Sequence, residues 1–116
     1  MGIPQEVVYT ADEFFAYIPE SNSERYELAN GYITALASPS IRHQLISGEL
    51  FGEFRSFIKK NGGKCRVMEA PTDVRIDEYN VVVPDIFVSC KPENFDRQKY
   101  NGAPDLVIEI EIKIIQ

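Results

Sequence analysis

VVVPDIFVSC (residues 81–90) sets one carboxylate, Asp85, inside an otherwise apolar run. Val81, Val82, Val83, Ile86, Phe87 and Val88 around it read as a strand buried on both faces. A bare carboxylate in such surroundings is costly to desolvate, so it must be paired, protonated or bound to a cation. Pro84 lacks the N–H that a sheet ladder needs, which marks an edge, a strand start or an irregularity. Irregular backbone beside an acid is one way to aim a side chain into a cleft. The plainer reading is that Asp85 emerges at a strand end and caps a turn or pairs with an arginine.

A second acidic strand follows in PDLVIEIEIKIIQ (residues 104–116). On a strand, side chains two apart share a face. Leu106, Ile108, Ile110, Ile112 and Ile114 then form one apolar face, and Glu109, Glu111 and Lys113 lie together on the other. A half-buried strand produces this pattern, and so does an active site. Neighbouring strands that carry Asp85 and Glu109 place two carboxylates over one point. Hard cations such as Mg²⁺ take oxygen ligands and keep several waters, so one or two carboxylates suffice. Such an ion polarises a phosphoryl oxygen, and a lysine on the same face stabilises developing charge. Pro84-Asp85 followed by Glu111-Ile112-Lys113 presents these groups in the required order.

Outward from these strands, the rest of the chain supplies helices and a hairpin. In YTADEFFAYIPE (residues 9–20), Thr10 and Glu13 form a capping box, Tyr9 and Phe14 suit a hydrophobic staple, and Pro19 is the stop. RYELANGYITALA (residues 25–37) is two short runs around Asn30-Gly31, a dipeptide that tolerates the positive φ of a tight hairpin turn. The longest helix starts at Ser40 as N-cap, with a stripe of Ile41, Leu45, Phe51, Phe54 and Ile58, and stops at Gly62-Gly63. Phe51, Phe54 and Phe57 read as core. KCRVMEAPTDVRI (residues 64–76) alternates as a strand, and PENFDRQKYNG (residues 92–102) is a short helix or turn. The order is helix, hairpin, long helix and three strands, so a mixed sheet with helices packed on it is the economical α/β architecture.

The totals bound what this domain does. At 116 residues the chain is a single domain, and 44% hydrophobic with 26% charged residues is an ordinary globular composition. No apolar run approaches the roughly 20 residues of a membrane span. The start has no basic segment and apolar core of a secretion signal, so a cytoplasmic location is expected. Cys65 and Cys90 have no zinc-like spacing with each other or with His43, and read as free thiols in a reducing compartment. A net charge of −6 counts against nonspecific binding to a phosphate backbone. A cation held by carboxylates reverses the local field at one site.

Taken in order, YTADEFFAYIPE, RYELANGYI, SPSIRHQLISGEL, APTDVRID, VVVPDIFVSC and GAPDLVIEI resemble the Uma-two family of restriction-endonuclease-like proteins, part of the PD-(D/E)XK nuclease superfamily. The resemblance implies a restriction-endonuclease-like mixed β-sheet flanked by helices, a Mg²⁺ or Mn²⁺ site, DNA as substrate and a homodimer. It implies that Asp85 and Glu109 are the metal carboxylates and Glu27 a further acid near the site. His43 matches a characteristic position to which it gives no role. A Glu27 flanked by Arg25 also suits a solvated cross-strand partner, and a histidine in a helix's first turn is ordinarily exposed or bonded to backbone. Family members continue past the VIEI strand with a loop, a lysine-bearing helix and more strands, whereas this sequence gives EIKIIQ (residues 111–116). The expectation is therefore a C-terminally incomplete, truncated domain over residues 1–116, in which Glu111 and Lys113 either form the reactive pair or stand where the family's lysine is lost.

Two functions follow as expectations. One is a divalent-metal-dependent endonuclease hydrolysing phosphodiesters in DNA, with Asp85, Glu109, Glu111, Lys113 and Glu27 as its working residues. The other is a binding or assembly module that keeps the nuclease fold without cutting. In either, the apolar edge of the last strand invites pairing with another chain, so a homo-oligomer is expected.

Overall fold

A computed structural model describes residues 7–18 and 24–113. Helix α1 spans Ala11–Tyr17. Its capping box forms as the sequence requires: Glu13 N–H donates to Thr10 Oγ1 at 3.2 Å, and Thr10 N–H donates to Glu13 Oε1 at 3.0 Å. Phe14 is buried and Tyr9 packs beside it, completing the staple. Pro19, the expected stop, and residues 114–116 lie outside the described residues.

Strands β1 (Tyr26–Ala29) and β2 (Tyr32–Ala35) make the hairpin. Asn30 and Gly31 take φ of 50° and 87°, the turn that matches the twist of the flanking strands. Helix α2 then runs from Ile41 to Asn61, with Ser40 Oγ accepting from His43 N–H at 3.0 Å. Its inward line differs from the expected stripe. Ser47 is buried, and His43, Leu50, Phe51, Phe54 and Ile58 are half-buried at helical spacing around it. Ile41 and Leu45 lie off this line and face solvent, and Phe57 is 66% exposed, so neither the full stripe nor all three phenylalanines enter the core.

The two long runs that follow are each cut by a proline. The first gives β3 (Arg66–Glu69) and β4 (Asp73–Asp77), with the break at Ala70-Pro71. The second gives β5 (Asn80–Val82) and β6 (Ile86–Ser89), with the break at Val83-Pro84-Asp85. A 3-10 turn at Pro92–Asn94 leads to β7 (Lys99–Asn101), and β8 (Leu106–Ile108) follows. Because a proline has no N–H to give, each run leaves one sheet and enters another at that point. The result is a five-stranded sheet ordered β2-β1-β5-β4-β7 and a three-stranded sheet ordered β3-β6-β8. The β4–β7 pair is parallel and the remaining pairs are antiparallel, so the expected mixed sheet is present and is accompanied by a smaller antiparallel one.

Two small clusters hold the layers. Ala11 and Phe14 of α1 pack on Leu28 of β1 and Val81 of β5. Val74 and Tyr100 of the five-stranded sheet pack on Phe87 of the three-stranded one. Inside the second cluster, Ser89 Oγ donates to Tyr100 Oη at 2.6 Å, so neither buried hydroxyl is left without a partner.

The thiols and the last strand correct the sequence-based expectation. Cys65 and Cys90 are joined in a disulfide. The β3–β6 register pairs Arg66 with Ser89, which sets Cys65 opposite Cys90 one step further along. A cross-strand pair 25 residues apart has no signature in sequence, and its existence removes the argument for a reducing compartment. The terminal strand covers only Leu106–Ile108, and residues 109–113 continue without regular structure. On the expected apolar face Leu106 is 43% exposed while Ile108, Ile110 and Ile112 are half-buried, so that face is only partly covered; Val107, on the other face, is 45% exposed. The strand is one edge of its sheet and, among the described residues, has a neighbour on one side only. Among the described residues, no helix is long and apolar enough to cross a membrane.

Candidate active site

The break at Pro84 is where the acids meet. Strands β6 and β8 pair antiparallel, with Ile86 opposite Ile108 as the last pair of the ladder. One step beyond, Asp85 and Glu109 leave the sheet at the same end, and both line one cleft of about 570 Å³. The Asp85 carboxylate is fixed by Ile110 N–H, which donates to its Oδ2 at 2.6 Å. Its Oδ1 lies 3.1 Å from His43 Nε2. The Asp85 backbone carbonyl accepts from Ala70 N–H at 3.0 Å, tying the proline turn of the first run to that of the second.

Glu27 comes from the other sheet. Alternation on β1 turns it away from Leu28, which faces α1. Its Oε2 accepts from Val83 N–H at 2.7 Å, two residues before Asp85. An amide that the strand break leaves without a ladder partner is thus satisfied by a side chain, which anchors Glu27 to the cleft.

His43 reaches the cleft from the first turn of α2. Ser40 caps its backbone N–H, which orients that turn. Its ring lies between two oxygens, with Nδ1 2.9 Å from Gln44 Oε1 and Nε2 on Asp85. The imidazole is held above its ordinary pKa, first by the Gln44 oxygen and then, against the opposing effect of burial, by the hydrogen bond and charge of Asp85. The reading of His43 as exposed or bonded to backbone is therefore corrected, since its ring meets two side-chain oxygens. The partner is 42 positions away in the chain, and only the tertiary fold brings it near.

Glu109 is the group whose charge is least compensated. Desolvation by the cleft wall, then the charge of Asp85, then that of Glu27 push its carboxyl from the usual range up to about 7. The Glu109 side chain is nevertheless exposed to solvent on one side. Near neutral pH, a proton or a cation therefore relieves mutual repulsion in the cleft. Oxygen donors from Asp85 and Glu109 suit a hard divalent ion that keeps its remaining waters, and Glu27 stands in the same lining. Among the described residues, no three His, Cys, Asp or Glu side chains are grouped so that together they could hold a metal ion, which leaves a pair of carboxylates and water as the ligands available here.

Glu111 and Lys113 are not brought to this cleft. They pair with each other at 3.8 Å, with side chains 77% and 76% exposed. The strand that was to carry them on the face of Glu109 has already ended at Ile108. Arg25, read from sequence only as a neighbour of Glu27, does line the cleft. The i, i+2 spacing of Arg25 and Glu27 was the available signal.

Among the described residues, two α-helices, a mixed sheet and an antiparallel sheet make the α/β fold of a restriction-endonuclease-like domain. The chain belongs to the Uma2 family, described as "Putative restriction endonuclease", whose profile matches residues 11–113. It is 28% identical over 92 residues to an uncharacterized protein of Synechocystis sp., a match covering 78% of this chain and 47% of that protein. The chain thus spans about half the length of the curated relative it matches.

Proposed function

We propose that the cleft binds a divalent cation, Mg²⁺ or Mn²⁺, through Asp85 and Glu109 with Glu27 beside them, and that it serves phosphodiester hydrolysis in DNA. The observation that carries this reading is the convergence of acids from two sheets on one cleft, where Glu109 ionises reluctantly. The family match supports the nuclease class. A bound divalent ion supplies Lewis-acid polarisation of a phosphoryl oxygen. The chain's own residues do the remaining work. Ile110 N–H and His43 hold Asp85 in one orientation, and Val83 N–H holds Glu27. Glu109 exchanges a proton near neutral pH, and so is the group from which an arriving cation displaces one.

A second reading is favoured by one specific observation. Among the described residues the cleft's lining contains no lysine, and Lys113 is paired with Glu111 in solvent. On that reading the chain binds a cation and DNA without cutting, as a binding or assembly module on the nuclease fold. Mn²⁺ titration of the wild type, Asp85→Ala and Glu109→Ala, with plasmid nicking followed in parallel, separates the two. Metal affinity and nicking both lost in the variants support the nuclease. Metal affinity lost without any nicking by the wild type supports the module. Absence of Mn²⁺ binding in the wild type rejects both.

A further inference from the structure

We propose that Arg25 is the side chain that takes a backbone phosphate of DNA in the cleft of Glu27, Asp85 and Glu109; this rests on the cation-dependent nucleic-acid reading above. Arg25 immediately precedes β1, and its carbonyl accepts from Leu36 N–H at 2.8 Å. That bond carries the hairpin ladder one step past Tyr26, so Arg25 and Glu27 share a face. Both accordingly line the cleft, with Arg25 half-buried in its wall.

The guanidinium is not consumed by the acids around it. Among the described residues, no carboxylate lies within ion-pair distance of it. Glu27 is engaged by Val83 N–H, and Asp85 by Ile110 N–H and His43. Of the remaining cations whose pairing is defined, Arg75 is bound to Asp12, Lys99 to Asp96 and Lys113 to Glu111, all outside the cleft. Among the described residues, Arg25 is the one Arg or Lys in the lining.

The chemistry of that group selects its ligand. A guanidinium is planar and always charged, and its fork of N–H donors matches two oxygens of a phosphate. A net charge of −6 counts against broad nonspecific attraction to DNA, so a phosphate contact made inside the cleft carries more of the binding. Loss of that contact is then a large part of the whole. A fixed positive charge at the rim also opposes a cation in the cleft, so its removal does not weaken metal binding.

The test compares wild type, Arg25→Gln and Arg25→Lys. Binding of a fluorescently labelled DNA duplex is followed by anisotropy across a salt series in Mn²⁺, and Mn²⁺ binding alone is followed by electron paramagnetic resonance. Arg25→Gln is expected to bind the duplex roughly tenfold more weakly and to lower the slope of log K against log salt by about 0.9. Arg25→Lys is expected to restore the slope and part of the affinity, because the charge returns without the fork. Mn²⁺ binding stays equal or tightens in both variants. An Arg25→Gln protein with wild-type affinity and slope overturns the assignment, and so does one that loses Mn²⁺ together with DNA, since Arg25 would then only shape the site. A wild type that binds Mn²⁺ but no duplex overturns the Arg25 assignment alone. A wild type that binds no Mn²⁺ overturns the cation reading beneath it, while the salt slope still decides on Arg25.

Discussion

Replacing Asp85 by asparagine keeps the shape of the side chain and removes one charge from the cleft. Glu109 sits at about 7, pushed there first by desolvation and then by Asp85. With the charge gone, the desolvation remains, so Glu109 is expected to move part of the way back toward an ordinary glutamate. Its affinity for the proton falls roughly tenfold, the effect of one near charge at moderate screening. His43 moves in the same direction, because it loses an anionic partner at 3.1 Å, although the Gln44 oxygen still holds it above an ordinary imidazole. The consequence for stability has a definite sign. A carboxyl whose folded pKa is raised contributes stability in full below its ordinary value, and loses it as pH rises through about 7. His43, raised as well, loses its contribution over the same range of rising pH. The Glu109 part is on the order of 1 kcal/mol, since its edge is screened by water. In metal-free buffer the wild type is therefore expected to melt lower at pH 8 than at pH 5, and Asp85→Asn to show a flatter profile. Carbon-detected NMR of the glutamate carboxyls gives the direct reading. The reasoning fails if Glu109 titrates in the usual carboxylate range in the wild type, or titrates identically with and without Asp85.

Reduction of the Cys65–Cys90 bridge, or Cys90→Ser, reopens a loop between residues 25 positions apart and is expected to lower stability by roughly 3 kcal/mol, measured by urea unfolding with and without reductant. Gly31→Ala forces a side chain onto φ of 87° and into Val8, so a loss of about 2 kcal/mol is expected in the same assay, with Gly48→Ala, where a Cβ meets open space, as the tolerated control. The edge strand β8, with Leu106 and Val107 exposed, is expected to pair with a second copy; sedimentation at micromolar concentration should show a dimer that Val107→Lys dissociates, and a monomeric wild type would contradict this.

Local chemistry was legible wherever neighbours in the chain are neighbours in space. The Thr10–Glu13 box, the Asn30-Gly31 turn and the Ser40 cap depend on residues one to three positions apart, and each formed as read. The disruptive role of Pro84 was legible too, because a missing N–H is a property of the residue itself. The extent of β8 was not. Alternation in residues 104–116 satisfies the sequence pattern of a strand, but a strand lasts only as long as a partner supplies hydrogen bonds, and β6 begins at Ile86. Lys113 is stranded for that reason, and His43 was passed over because its partner is remote in sequence.

Composition and pattern alone determined the α/β class, that Asp85 needs a partner, and that Glu109 follows directly on a strand able to lie beside it. Tertiary structure alone decided that the strands divide between two sheets, that Cys65 meets Cys90, and that His43 and Arg25 join the acids while Lys113 does not. The physical reason is range. Backbone preference and side-chain period act over a few residues, whereas register, desolvation and charge act between whichever groups the packed sheets bring together.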